Sequence, residues 1–297
     1  MLARAIRSAL SQSHPNLEVI VADDPATPCC HHVIRGVNDP RFRFHLQDTR
    51  VGCWKNWTQA IRMARGEYLV FLGDDDWLSP TFVADHLAAL ARVPGAAVSF
   101  CSMQEVLDEN NTLRVIEPKI SFGTEANPTV FLAAALRQEV FFGAAVFRRK
   151  LAAEVWEETE PDDYVADHGL ILRLACLRQS SCIRVDGPIY FKSVHKRQLS
   201  SRYLEVTQLH LALMLRIQKK STDRRHTSLL RHCTALVAVL LARHHAANGD
   251  LKVARRVLAS AIQNSPTTTL AWSQFLQAYL TPARMVRTAR AQRGISG

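Results

Sequence analysis

Three consecutive carboxylates, Asp74, Asp75 and Asp76, follow the apolar run Tyr68–Leu72. This run predicts a central strand buried on both faces, and ligands of open α/β sheets bind outside the carboxyl ends of such strands. Adjacent carboxylates repel one another unless a cation neutralises them, and oxygen ligands suit Mg²⁺ or Mn²⁺. Since Mg²⁺ takes one or two carboxylates plus phosphate oxygens, a nucleotide diphosphate is the natural co-ligand. The alternative is a solvated acidic turn before a helix, where each acidic residue contributes about 0.3–1 kcal/mol.

A second acidic pair, Asp23-Asp24, ends another apolar run, Leu17–Ala22. Two acidic strand ends in one parallel sheet can lie side by side across one crevice. This convergence favours a ligand site over two unrelated turns. The neighbouring run Cys29–His32 lacks the spacing by which side chains converge on a tetrahedral zinc ion, so we interpret it as incidental.

The first 200 residues alternate helical and strand patterns, whereas the remainder is helical only. Helices are predicted at Leu2–Ser11, at Gly52–Ala64 and after Ser79-Pro80, and strands at Leu17–Ala22, Phe42–Leu46 and Tyr68–Leu72. Strand–helix–strand units of these lengths predict an α/β domain over residues 1–200, with a mostly parallel sheet flanked by helices. Residues 201–297 predict a separate all-α region with helices at 204–219, 228–247, 251–262 and 269–280.

The net charge of +10 is carried by the helical region. Residues 1–200 have 22 basic and 24 acidic side chains, and residues 201–297 have 15 basic and 3 acidic ones. Few aromatic residues accompany these basic residues, so we expect no nucleic-acid partner. The basic residues Arg284, Arg287, Arg290 and Arg293 recur every three residues, which fits either peripheral contact with an anionic membrane or a solvated helix face.

Other features limit where the protein is expected to reside. The longest apolar run of the helical region, Ala235–Ala242, is far shorter than the roughly 20 residues of a spanning helix. The first residues lack the pattern of a secretory signal. The 7 cysteines include no C-x-x-C pair, which indicates reduced thiols. We therefore predict a cytoplasmic protein, with peripheral binding to the inner face of the membrane as an open alternative.

Several segments in matching order resemble the nucleotide-binding half of family 2 glycosyltransferases, which have the GT-A fold. The similar segments are Ala5–Gln12, Asn16–Asp24, Asp39–Arg43, Val51-Gly52 with Asn56-Trp57, and Ala64–Tyr68 leading to Asp74–Pro80. The resemblance covers about residues 2–200. It implies transfer of a sugar from a UDP-, dTDP- or GDP-linked donor to the hydroxyl of a sugar or lipid-linked acceptor, with inversion and with Mg²⁺ or Mn²⁺.

The resemblance also implies roles for individual residues. Asp24 matches the acidic residue that contacts the donor base. Asp74 and Asp76 match the ends of the DxD motif, which hold the donor ribose and the metal, and Asp75 shares that work. His195, in the segment Ser193–Ser200, matches a histidine that approaches the metal or diphosphate; a basic surface turn is the alternative.

An inverting transfer needs a carboxylate to take the proton of the acceptor hydroxyl. The segment Tyr164–Leu174 is similar to the one that supplies this base, with Ala166-Asp167 where many relatives have Glu-Asp. We therefore predict Asp167 as the base, with Asp162 and Asp163 as second choices. The alternative for Asp167 is an N-cap of the following helix.

The family normally begins with a strand that precedes the first helix of this sequence. We therefore expect an incomplete donor site and low activity, which upstream sequence would restore. An inactive glycosyltransferase-like or helical scaffold protein is the main alternative function. A receiver domain would also place aspartates after strands, but it should carry a Lys-Pro pair, and the sequence has none.

Overall fold

A computed structural model of the protein describes residues 1–24, 31–108, 111–157, 165–195, 203–280 and 285–286. The chain forms two compact units, Met1–Gln198 and Leu199–Gly297. The first contains every strand in the described part of the chain, and the second is helical. The GT-A-like α/β architecture, with a helical region after it, agrees with the sequence analysis.

The first unit alternates helices and strands along the chain. Its helices are α1 (Leu2–Leu10), α2 (His31–Arg35), α3 (Cys53–Met63), α4 (Phe82–Arg92), α5 (Pro128–Leu136), α6 (Arg149–Glu157) and α7 (Ala166–Cys176). Its strands are β1 (Val19–Asp23), β2 (Phe42–Leu46), β3 (Tyr68–Val70), β4 (Trp77–Leu78), β5 (Ala96–Asp108), β6 (Asn111–Ile116), β7 (Glu125–Ala126), β8 (Ala145–Arg148) and β9 (Ser181–Ser193). The predicted bounds of β2 match the structure, and those of α1 and α3 differ by one residue at the ends.

The strands form two sheets. Strands β1 and β2 pair in parallel, and a seven-stranded sheet has the order β3-β8-β5-β9-β4, with β6 on β5 and β7 on β9. Among the paired neighbours of the larger sheet, β5 and β9 are parallel and the other described pairs are antiparallel. The sheet is thus mixed rather than mostly parallel, because β8 and the short β4 return in the opposite direction.

Strand β3 lies at the edge of the larger sheet, so the prediction of a central strand buried on both faces was wrong. Of its three residues only Leu69 is buried, whereas Tyr68 and Val70 are half-buried. The apolar run continues beyond the strand because Phe71 packs in an aromatic cluster with Trp57, Phe142 and Trp156. This packing, and not a central position in the sheet, accounts for the apolar run.

The described part of the second unit is built of helices. They are α8 (Tyr203–Lys220), α9 (Arg224–Ala247), α10 (Leu251–Asn264) and α11 (Thr269–Leu280). Small buried residues, including Ala242, Ala254 and Ala271, let α9, α10 and α11 pack closely. Asp223 caps α9 by accepting a hydrogen bond from the backbone N–H of His226 at 2.9 Å.

Within the described residues, none of the helices combines the length and the apolar character that crossing a membrane requires. Five cysteines of the same part of the chain form no disulfide bond: Cys53, Cys101, Cys176, Cys182 and Cys233.

Candidate active site

The acidic turn Asp74–Asp76 connects β3 to β4. Asp76 is buried, with 7% of its surface exposed. Its Oδ1 accepts a hydrogen bond from the backbone N–H of Ser193 at 2.8 Å, and its Oδ2 accepts one from the hydroxyl of Tyr190. Both donors lie on β9, so this strand fixes the position of the turn.

The acidic turn is electrostatically strained. Burial raises the pKa of Asp76 to about 6, against the hydrogen bond from Tyr190, which lowers it. Burial and the charge of Asp75 also raise the pKa of Asp74. A carboxylate whose ionised form is disfavoured in this way gains from a nearby cation. The turn therefore has the electrostatics that a cation would relieve.

Asp75 occupies the middle of the turn, and its carboxylate contacts a different residue from those that the carboxylate of Asp76 contacts. Its backbone carbonyl accepts hydrogen bonds from Arg4 Nη2 at 2.9 Å and from Ser193 Oγ at 2.5 Å. Its carboxylate Oδ2 lies 2.8 Å from Nε2 of His195, and both side chains are partly exposed. The structure thus brings the predicted residue His195 to the predicted acidic cluster.

Helix α1 and the residues that follow it hold the acidic turn and the segment after it. The guanidinium of Arg4 stacks on Trp77 at 3.5 Å from the ring centroid while it donates to the Asp75 carbonyl. Gln12 donates to the carbonyl of Ser79 at 2.8 Å and accepts from the N–H of Val83 at 2.9 Å. Neither Arg4 nor Gln12 was predicted as a site residue, although both lie in or beside a segment that resembles the family. Arg4 lies opposite the apolar stripe of the helix, so the helical pattern does not mark it as a site residue.

Tyr190 and Ser193 were also missed as site residues. Tyr190 lies within an apolar stretch of β9 and is 1% exposed, so its sequence context indicates only a core residue. Ser193 is the first residue of the segment Ser193–Ser200, in which only His195 was predicted as a site residue. Its contacts with both Asp75 and Asp76 follow from the pairing of β4 with β9, which local sequence patterns do not reveal.

Asp24 follows β1 in the smaller sheet. Its carboxylate accepts hydrogen bonds from the backbone N–H groups of Val51 at 2.6 Å and Gly52 at 3.0 Å. Gly52 precedes α3 and has a φ of 86°, a conformation that favours glycine. In the part of the chain that the structure describes, Asp24 is hydrogen-bonded to this loop and not to the acidic turn.

Asp167 lies in the first turn of α7. The N-cap of that helix is Val165, so Asp167 is not the cap residue. Burial raises the pKa of Asp167, and its Oδ1 accepts a hydrogen bond from the N–H of His168 at 2.7 Å. The positive charge of Lys192 acts on both Asp167 and Asp76, lowering the pKa of each. Lys192 therefore connects the predicted base electrostatically with the acidic turn.

Some predicted residues lie outside the described part of the chain. They are the second-choice bases Asp162 and Asp163, the cysteine pair Cys29-Cys30, the basic residues Lys196 and Arg197, and the four arginines at 284, 287, 290 and 293.

Solved structures show the same fold. A crystal structure of residues 1–349 of TarS from S. aureus superposes with a TM-score of 0.65 over 99% of this chain and 88% of that fragment, at 15% identity. A mannosyltransferase, PcManGT of Pyrobaculum calidifontis, was solved in complex with GDP-Man and Mn²⁺. It superposes with a TM-score of 0.60 over 99% of this chain and 81% of its own, at 18% identity.

Sequence comparison gives the family. WcaA of Escherichia coli K12, provisionally named a colanic acid biosynthesis glycosyl transferase, is 36% identical over 87 residues, which are 29% of this chain and 31% of WcaA. The chain thus matches about a third of the length of this curated relative. The model of glycosyl transferase family 2 matches residues 1–156, more than half of the chain. The protein belongs to glycosyl transferase family 2.

Proposed function

We propose that the first unit transfers a sugar from a nucleotide-diphosphate donor to an acceptor hydroxyl, with inversion and with a divalent metal. The observation that carries this proposal is the 2.8 Å contact between Asp75 and His195. It joins the acidic turn after β3 to the segment after β9, as a shared site for a metal and a diphosphate requires. Membership of family 2 supports the reaction class.

The residues of the turn fit a divalent cation that a diphosphate helps to hold. Within the described residues, no group of three His, Cys, Asp or Glu side chains is placed to hold an ion. Mg²⁺ and related ions in nucleotide sites use one or two protein ligands and take the others from phosphate and water. Asp75 and His195 provide two such ligands, and Asp74 precedes Asp75 in the same turn. When bound, the ion would neutralise the charge that develops on the departing diphosphate.

Among the three aspartates, we propose that Asp75 binds the metal and that Asp74 contacts the donor ribose. The sequence resemblance placed the metal on Asp74 and Asp76. Asp76 already accepts hydrogen bonds on both oxygens from Tyr190 and Ser193, which supports a role in positioning the turn. We keep Asp24 at the donor base and add that it orders the loop at Gly52.

The reaction proceeds in one displacement. The acceptor oxygen attacks the anomeric carbon as the bond from that carbon to the diphosphate oxygen breaks, and the nucleoside diphosphate leaves. The carboxylate of Asp167 takes the proton of the acceptor hydroxyl. Its raised pKa supports this role, because a base whose pKa lies closer to the working pH is more effective.

The comparisons support particular substrates. The GDP-Man and Mn²⁺ complex of PcManGT supports a nucleotide-sugar donor with Mn²⁺, and UDP- and dTDP-linked donors are the other candidates. WcaA supports an acceptor of cell-surface polysaccharide synthesis. We propose a sugar or lipid-linked acceptor at the cytoplasmic face of the membrane.

A thermal-shift screen tests the donor site. The full chain is heated with UDP, dTDP or GDP, each with and without Mn²⁺, and one nucleotide should raise Tm only when Mn²⁺ is present. A ligand at 100 times its Kd stabilises the folded state by about 2.7 kcal/mol, which is a shift of several degrees. Asp76→Ala and Asp75→Asn are compared with the wild type. Absence of any Mn²⁺-dependent shift in the wild type would overturn the proposal.

A further inference from the structure

Helix α11 has two apolar faces. Its inner face, with Ala271 and Ala278, is fully buried in the core of the second unit. Its outer face consists of Trp272, Leu276, Tyr279 and Leu280. These four side chains are 44%, 51%, 53% and 75% exposed.

The spacing of the outer face is that of one helical stripe, at i, i+4, i+7 and i+8. The helix contains no charged residue between Thr269 and Leu280. A contiguous, exposed patch of large apolar side chains marks an interaction surface. Within the second unit, the described residues leave this outer face of α11 uncovered.

The charged residues of this part of the sequence are of one sign. Residues 251–297 contain no Asp or Glu, whereas they contain Lys252, Arg255 and Arg256 together with four arginines nearer the end of the chain. Helix α10, which carries the first three, packs against α11. The guanidinium of Arg255 lies 4.5 Å from the centroid of the Tyr279 ring and donates to the carbonyl of Ala278.

We infer that the outer face of α11 docks on the surface of an anionic phospholipid bilayer. Trp and Tyr favour the boundary between headgroups and acyl chains, and leucines beside them bury in the upper acyl region. Basic residues around such a face are attracted by the anionic headgroups. The combination on α10 and α11 matches this chemistry in both its apolar and its charged part.

A second copy of the chain fits the surface less well. Self-association through α11 would bring together two segments that each have only basic charges, and the repulsion would oppose binding. A nucleic acid would satisfy the charge but would leave Leu276 and Leu280 in contact with water. The bilayer is the one partner that accommodates both features. Binding through this face does not depend on catalysis, so its test is separate from that of the proposed reaction.

The test is co-sedimentation of the full chain with vesicles. Vesicles of pure phosphatidylcholine are compared with vesicles containing about 30 mol% phosphatidylglycerol, at about 50 mM and 300 mM salt. We expect binding to the anionic vesicles only, and weaker binding at the higher salt concentration. The double variant Trp272→Ser/Leu276→Ser should bind at least about tenfold more weakly, since it removes two large apolar side chains from the contact.

The matched control is Leu113→Ser on β6 of the first unit. Leu113 is 48% exposed, close to the 51% of Leu276, and its replacement should leave vesicle binding unchanged. Lys252→Gln/Arg256→Gln should weaken binding at low salt by about fivefold per residue, as expected for charges near anionic headgroups. If the double variant of α11 loses thermal stability, Leu280→Ser alone, at the most exposed position, replaces it.

Tryptophan emission provides a second measurement. Anionic vesicles should shift the emission to shorter wavelength, and Trp272→Phe should abolish the shift although four other tryptophans remain. Failure of the wild type to bind anionic vesicles, or equal binding by the α11 variant, would overturn the inference. So would a concentration-dependent dimer that the α11 variant abolishes in lipid-free buffer while vesicle binding persists, because it would assign the face to a second copy.

Discussion

Nε2 of His195 lies 2.8 Å from Oδ2 of Asp75, although 120 residues separate them in the sequence. The contact joins the turn after β3 to the end of β9, and Ser193 strengthens the connection by donating from Oγ to the carbonyl of Asp75. The two side chains are partly exposed, so a ligand can reach them. This pair is the basis of the first prediction.

Replacement of Asp75 by Asn should abolish the Mn²⁺-dependent rise in Tm with nucleotide. The free energy of unfolding of the ligand-free protein should fall by only about 0.2–1 kcal/mol, because the pair with His195 is partly exposed and solvent screens it. Asp186→Asn, at an exposed position of β9, is the control and should keep the metal response. A full metal response in Asp75→Asn would contradict the assignment of Asp75.

Replacement of Asp167 by Asn should lower kcat by about 10²–10⁴, the usual contribution of a general base. Donor binding should persist, so the Mn²⁺-dependent thermal shift serves as the control for an intact site. In the wild type, kcat should rise with pH as Asp167 ionises, through a pKa that burial has raised. If kcat and its pH profile are unchanged in Asp167→Asn, another residue is the base.

Replacement of Tyr190 by Phe removes the hydroxyl that donates to the buried carboxylate of Asp76. We expect a loss of about 1–3 kcal/mol in the free energy of unfolding, since a buried acceptor loses its donor. The loss should be greater at pH 8 than at pH 5, because the hydrogen bond favours the ionised carboxylate, whose pKa is about 6. Urea unfolding at both pH values measures this effect. Tyr68→Phe is the control, and equal losses at the two pH values would speak against the mechanism.

Replacement of Gly143 by Ala should disturb the packing of Tyr190, which holds the carboxylate of Asp76. A Cβ at Gly143 would lie 2.5 Å from Cε2 of Tyr190, a ring that is 1% exposed and has no room to move. Overpacking of this kind costs about 1–3 kcal/mol. Gly36→Ala, whose Cβ would lie 3.5 Å from the nearest atom, is the matched control. Thermal unfolding should therefore give a clearly lower Tm for Gly143→Ala than for Gly36→Ala.

The stability of the first unit should decrease in mild acid because of His86. Full burial lowers the pKa of His86 to about 3, whereas in the unfolded chain it is about 6.5. Between these values the unfolded state binds a proton that the folded state does not, so stability falls as pH falls below 6.5. Lowering the pH from 7.5 to 5.5 should reduce the free energy of unfolding by about 1.4 kcal/mol through this one residue.

His86→Gln should remove that part of the pH dependence. Urea unfolding at the two pH values measures it, and the variant should lose about 1.4 kcal/mol less than the wild type over the same interval. The control is His32→Gln, at an exposed position, which should behave as the wild type. Identical pH dependence in His86→Gln and the wild type would refute the prediction.

Local sequence patterns predicted the elements around the site but not their pairing. Helical and alternating periodicities placed α1, β2 and α11 within one residue at each end. The position of β3 at a sheet edge was missed, because its apolar residues pack in an aromatic cluster as well as in the sheet. The direction of β8 and β9 depends on long-range pairing, which periodicity does not encode.

The same limit applies to the site. The acidic turn and His195 could be found because unusual residue types occur there in a recognisable order. Tyr190 could not, since it lies between the apolar residues Ile189 and Phe191 and its partner lies 114 residues away. Arg4 acts through its contact with a backbone carbonyl, and such a contact leaves no trace in the pattern of side chains.

The attachment of the acidic turn to β9 has a consequence for the order of folding. Its anchors, Tyr190 and Ser193, become available only after β9 has paired with β5, in a register that joins Met103 to Tyr190 and Val106 to Ser193. Contacts of such long sequence separation form slowly, because the loop-closure entropy must be overcome first. The acidic turn therefore reaches its native geometry late, and the exchange protection of the Ser193 amide reports when it does so.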